Sequence, residues 1–171
     1  MFVTSKQVNF SRFLRCISAI VLLTSLAPIA VANPPKDELT KTAIAFMDAY
    51  VSGNWSGVVS HLTAGELTIY GSDSSEFSTS REAFKTMFDN DQKLWQGQAH
   101  FGPLSHVSSF RYGNVGTLFF DRVFELGDRK MLVRFSTVWR KEGGEWKLVQ
   151  SSNVVPTTGQ SAAAILSAQK K

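Results

Sequence analysis

The stretch VGTLFFDRVFELGDRKMLVRFSTVWRKEGGEWKLVQ, residues 115–150, decides the fold. Two runs rich in Phe, Val and Thr, Val115 to Leu126 and Met131 to Lys141, flank Gly127-Asp128-Arg129; a third begins at Trp146, after Gly143-Gly144. Glycine-containing breaks of this length between β-prone runs are hairpin signals. An earlier run, Ala99 to Tyr112, joins the set through Gly113-Asn114, and the last run extends to Val155. The pattern predicts a meander of antiparallel strands.

Turn geometry fixes which side chains share a face, because a slip of one residue moves every side chain to the other side. With Gly143-Gly144 as a two-residue turn, Glu142 pairs with Glu145, Trp139 with Leu148, Thr137 with Gln150 and Phe135 with Ser152. With Asp128-Arg129 as a two-residue turn, Leu126 pairs with Met131, Phe124 with Val133, Arg122 with Phe135 and Phe120 with Thr137. Both hairpins put Val133, Phe135, Thr137 and Trp139 on one interior face. That register predicts Arg122, Gln150, Ser152 and Thr137 as polar groups among Phe120, Phe124, Phe135 and Trp139, the composition of a small-molecule site. An interior arginine must meet a carboxylate, either of a ligand or of the protein at Asp73, Glu76 or the C-terminal segment. The expected ligand is therefore small and either apolar or anionic.

Upstream of the strands the apolar period is helical. Leu39, Ala43, Phe46, Met47, Tyr50 and Val51 form one stripe, ended by Gly53, and Asn54 is placed to cap a short helix carrying Trp55, Val58, Val59 and Leu62. Leu67, Ile69 and Tyr70 read as a strand entering a polar loop, Gly71 to Ser78. Thr79 followed by Glu82 is a capping-box spacing, and Ala83, Phe84, Met87, Phe88, Leu94 and Trp95 give the apolar face of a third helix. Helices first and a sheet afterwards is an α+β arrangement, with the helices covering one face of a curved antiparallel sheet.

The N-terminus has a basic start, Lys6, Arg12 and Arg15, an apolar stretch Ile17 to Ala32, and the small-residue ending Ala30-Val31-Ala32. This is the three-part pattern of a cleavable signal peptide, predicted over 1–32, and the stretch is shorter than the ~20 residues of a membrane span. Cleavage would remove Cys16, the one cysteine, and leave 15 Lys+Arg against 14 Asp+Glu, a charge of about +1. Disulfide and thiolate chemistry are then excluded, and the balance gives no reason to expect a nucleic acid or an acidic membrane as partner. A periplasmic or secreted location follows. About 139 residues remain, enough for a single core.

The order of elements, together with Tyr70-Gly71-Ser72-Asp73, Glu76, Ser80-Arg81-Glu82-Ala83 and the ending Val138 to Gln150, resembles the SnoaL-like branch of the nuclear transport factor 2-like (NTF2-like) superfamily. The resemblance covers about Asp37 to Val155. It implies a cone-shaped fold over 33–156, with a tail at 157–171 that is a weak helix or disordered. It also implies a pocket between concave sheet and helices, and a homodimer formed through the sheet. The scaffold hosts isomerases, dehydratases, cyclases, epoxide hydrolases and non-catalytic binding domains, so it does not name a function. Related sequences often carry a histidine near the end of the last strand; Ser151, Ser152 and Asn153 stand there in this chain.

Tyrosine, carboxylate and histidine side chains here qualify by type for proton chemistry. Asp73 and Glu76 lie in the polar loop, where a dry pocket would make a carboxylate a general base and ordinary turn chemistry would make it a loop former. Tyr70 closes the first strand and can donate to a ligand carbonyl, and His106 falls near Asp121 across a hairpin. His61, His100 and His106 have no metal-ligand spacing, and no glycine-rich phosphate loop is present, so neither metal nor cofactor is expected. The sequence thus predicts an exported, non-catalytic small-molecule-binding domain. The alternatives are an isomerase, dehydratase or hydrolase using Tyr70, Asp73 or His106 with Arg122, and a protein interaction module acting through the sheet face.

Overall fold

The computed structural model describes residues 37–157 and 159–168; the expected signal peptide lies outside the described residues. Helix α1 (Glu38–Val51) starts at Asp37, whose carboxylate accepts from the Thr40 amide, and α2 (Trp55–Ser60) starts at Asn54, whose side chain accepts from the Gly57 amide. Short strand β1 (Thr68–Tyr70) and a two-residue strand β2 (Phe77–Ser78) bracket the polar loop, and α3 (Arg81–Trp95) follows. The cap of α3 is Ser80, one residue after the expected Thr79, because the Ser80 hydroxyl reaches the Ala83 amide and leaves Glu82 in the first turn.

The sheet continues with β3 (Ala99–Phe101), β4 (Ser105–Tyr112), β5 (Val115–Leu126), β6 (Arg129–Glu142) and β7 (Glu145–Val154); a short helix α4 (Ala162–Ala168) lies in the tail. The run expected from Ala99 to Tyr112 is thus two strands, broken at Gly102-Pro103-Leu104. Strand order is β2-β1-β7-β6-β5-β3, with β4 also on β5. All pairings are antiparallel except β1 on β7, where Thr68, Ile69 and Tyr70 run parallel to Gln150, Ser151 and Ser152.

Two register details set what the sheet presents to the helices. The β5–β6 turn is Gly127-Asp128, with Gly127 at a φ of +61°, so Leu126 pairs with Arg129 and Phe120 with Phe135. This lies two residues from the predicted register, and a shift of two leaves each side chain on its expected face. The β6–β7 hairpin follows the prediction from Glu142↔Glu145 to Trp139↔Leu148, but Val138 then pairs with Gln150, because Val149 is bulged out of the ladder. Beyond that bulge β7 is inverted. Ser151 and Asn153 come opposite the interior residues Thr137 and Phe135, while Gln150 and Ser152 turn to the outer face.

The core lies between the helices and the inner face of the sheet. Leu39, Phe46 and Met47 of α1, Val58 of α2, and Phe84 and Phe88 of α3 pack with Leu118, Phe120, Phe135, Trp139, Trp146 and Leu148. Gly116 lets α1 pack close on β5, since a Cβ there would lie 2.7 Å from the Leu39 side chain.

Candidate functional site

The inner face does not fill completely. A cavity of about 320 Å³ remains beneath α1 and α3, at the low end of the range for small-molecule sites. Its walls are mostly apolar: Phe46 and Met47 from α1, Phe84, Met87, Leu94 and Trp95 from α3, and Phe124, Leu126, Met131, Val133 and Phe135 from β5 and β6. The polar lining comes from Tyr50, Asp91, Glu76, Ser72, Ser151 and Asn153.

Tyr50 and Asp91 form the polar centre. Helical spacing puts Asp91 on the same stripe as Phe84, Phe88 and Trp95, and Tyr50 on the stripe of Phe46 and Met47, so packing α1 against α3 brings the two together. The Tyr50 hydroxyl donates to Asp91 Oδ2 at 2.7 Å, and the Gln92 side chain donates to the Tyr50 carbonyl at 2.9 Å. The Tyr50 ring is held by Phe84 stacked at 5.6 Å, and by Phe88 and Trp95 edge-on at 5.2 and 5.8 Å. Burial raises the Asp91 carboxyl above the usual carboxylate range, helped by the Glu76 charge and opposed by the Tyr50 hydrogen bond. Burial also raises the Tyr50 phenol well above its ordinary value, with the Asp91 charge adding to it.

Glu76 is placed by the loop after β1. Its carboxylate accepts from the Asp73 amide at 3.1 Å and folds over Gly71, where any Cβ would come within 2.1 Å of Oε2. Asn153 Oδ1 is buried with no hydrogen-bond partner among the described residues. No lysine, arginine or histidine is among the described residues that line the cavity.

Of the residues expected from sequence, Tyr70, Glu76, Phe124 and Phe135 border this cavity. Tyr70 is half-exposed and packs its ring on Phe77 at 4.9 Å, so the tyrosine hydroxyl bonded inside the cavity is that of Tyr50. Arg122 does turn inward but never reaches the cavity. Its Nε donates to the Gly102 carbonyl at 2.8 Å, Nη2 to the Phe101 carbonyl at 3.1 Å, and Nη1 lies 3.5 Å from Asp48. Its guanidinium is consumed in tying β3 and the following turn to α1, which corrects its assignment as a ligand anchor. Thr137 is likewise occupied, donating to the Leu118 carbonyl and accepting from the Trp139 indole. Phe120 and Trp139 are core residues, and the Val149 bulge removes Gln150 and Ser152 from the interior face.

The expected proton-transfer groups do not converge. Asp73 accepts from the Ser75 hydroxyl and amide, which holds its carboxyl below the usual range and makes it a loop former rather than a base. His106 does meet Asp121, at 3.0 Å, but on the outer face of the sheet, where its side chain is 80% exposed. Its φ of +50° belongs to a bulge in β4 between Ser105 and Ser108. Asp121 itself is buried and bound by Arg134 at 2.9 and 3.1 Å.

No family model and no curated protein matches this sequence. Solved structures match the fold. An NTF2-like protein of unknown function from Pseudomonas putida KT2440 superposes with a TM-score of 0.64 at 13% identity, covering 73% of this chain and 89% of that one. A protein of the NTF2-like family provisionally assigned as a dehydratase, from Streptomyces avermitilis, gives 0.63 at 15% identity over 71% and 95%. The CaMKII hub of S. rosetta gives 0.62 at 17% identity over 71% and 97%. These likenesses establish an NTF2-like α+β fold for this chain.

Proposed function

We propose that this chain is an exported domain that binds a small, largely apolar molecule in the cavity beneath α1 and α3. The carrying observation is the cavity of about 320 Å³ itself, apolar in its walls and ending on Tyr50 and Asp91. A ligand with an apolar body and a hydrogen-bonding head complements these walls and the Asp91 Oδ1 acceptor, which has no donor among the described residues. Of the two ligand types the sequence suggested, the apolar one is favoured: among the described residues the cavity lining holds carboxylates and no cation, so an anion is disfavoured. Export is supported by the basic start and the apolar stretch of residues 17–32.

The test is thermal unfolding with 4-phenylbutan-1-ol, a neutral probe of suitable size. Binding to the native state must raise the midpoint, by the equivalent of about 2.7 kcal/mol at a hundredfold excess over Kd. Met87→Trp, which fills the cavity from α3, should abolish the rise. An unchanged midpoint in the wild type at millimolar probe contradicts the reading.

A second reading, proton transfer on the bound molecule, is favoured by one observation: a carboxyl raised by burial sits 2.7 Å from a phenol in an apolar cavity. It predicts deuterium exchange next to the carbonyl of 4-phenylbutan-2-one, lost in Asp91→Asn. Exchange at the solvent rate excludes it. The outer sheet face, with Phe110, Phe119, Leu132 and Val154 exposed, supports pairing with a second copy, to be checked by sedentation equilibrium of Phe119→Asp against the wild type.

A further inference from the structure

We propose that the cavity selects amines, binding an ammonium group on a compact apolar body more tightly than the matching alcohol or carboxylate. The inference rests on the reading above that the cavity is a ligand site, and goes further by naming the head group.

The cavity lining is rich in acceptors and poor in donors. Asp91 Oδ2 is taken by the Tyr50 hydroxyl, while Oδ1 has no donor among the described residues. Glu76 accepts from one amide and, at 3.4 Å, from the Ser72 hydroxyl, and neither neutralises its charge. The lining therefore presents free acceptors and two carboxylates, with no described cation facing them. An ammonium has three donors and no acceptor, which complements this set; a carboxylate has only acceptors and repeats it. Tyr50, Phe84 and Trp95 add ring faces and edges around the same polar centre, and ring faces attract a desolvated cation. The upward displacement of the Asp91 carboxyl has the same origin, since burial without a counter-ion disfavours its charge. An ammonium beside it would reverse that displacement.

Calorimetric titration of the full-length chain near neutral pH with 4-phenylbutylamine, 4-phenylbutan-1-ol and 4-phenylbutyrate separates the possibilities, because the three share one body and differ in the head. The expected order is amine, alcohol, carboxylate, with the amine at least tenfold tighter than the alcohol. Asp91→Asn should cut the amine advantage over the alcohol to less than threefold. Glu76→Gln provides a second variant of unchanged shape and should reduce the same advantage. If the alcohol binds and the amine is no tighter, the amine inference is overturned and the cavity reading stands. If an amine advantage survives both variants, it arises elsewhere on the protein and the inference is overturned as well. If none of the three binds, the cavity reading fails and takes this inference with it.

Discussion

Asp91 and Asp121 are two carboxylates on opposite sides of one sheet, and their surroundings push them in opposite directions. Asp121, on the outer face, is shut off from solvent but receives two hydrogen bonds from Arg134 and contact from His106. The Arg134 hydrogen bonds hold its carboxyl below the usual range, despite burial. Asp91, on the inner side, receives one hydrogen bond from a neutral phenol, and burial leaves its carboxyl above that range. Asp121 is thus a finished structural ion pair, with its partners supplied by the chain itself. Asp91 is an unfinished one. Desolvation without compensation is costly to a fold, and sites where a chain retains it are candidates for function.

The contrast can be broken by substitution. Asp121→Asn should lower stability by about 2–3 kcal/mol, since it removes charged hydrogen bonds from a buried position, as read by urea unfolding. Glu142 belongs with Asp121: the Thr63 hydroxyl and Arg140 hold it, and its carboxyl falls to about 2. Its stabilisation is present above the ordinary carboxylate value and is lost as pH falls from about 4.5 toward 2. Glu142→Gln should cost about 1–2 kcal/mol near neutral pH and remove that part of the acid sensitivity. Asp91→Asn should change stability least, by less than about 1 kcal/mol, and in the stabilising direction. The sign follows from its raised carboxyl: the folded state holds the proton more tightly, so the contribution is favourable at low pH and is lost as pH rises through the raised value. The wild type should therefore lose stability relative to Asp91→Asn from about pH 4 upward. A wild type that gains on the variant over that interval would mean the carboxylate has a cationic partner.

The sequence carried the fold through periodicity. The stripe from Leu39 to Val51, the glycine-marked turns and the β-rich runs became α1 and the β4–β7 meander. Even the mistaken β5–β6 turn preserved the faces, because its error was two residues. The site was less legible because one bulged residue inverts the end of β7. A two-residue turn can be read locally, but the Val149 bulge is settled by how β7 packs between β6 and β1. Gln150 and Ser152 were consequently expected inside, where Ser151 and Asn153 stand. Arg122 was read correctly as interior, yet its partners are backbone carbonyls of Phe101 and Gly102 brought in by the break after β3, which no spacing announces. Asp91 did leave a trace. A carboxylate on the Phe84, Phe88 and Trp95 face of a helix conflicts with the apolar pattern, and such conflicts are where functional residues are to be sought.

The most direct measurement is amide chemical-shift mapping as 4-phenylbutylamine is titrated into the protein. The largest changes are expected at Tyr50, Asp91, Ser151 and Asn153, including the Asn153 side-chain amide. Changes centred instead on Gln150, Ser152, Phe119 or the His106–Asp121–Arg134 group would place binding on the outer face and contradict binding in the cavity.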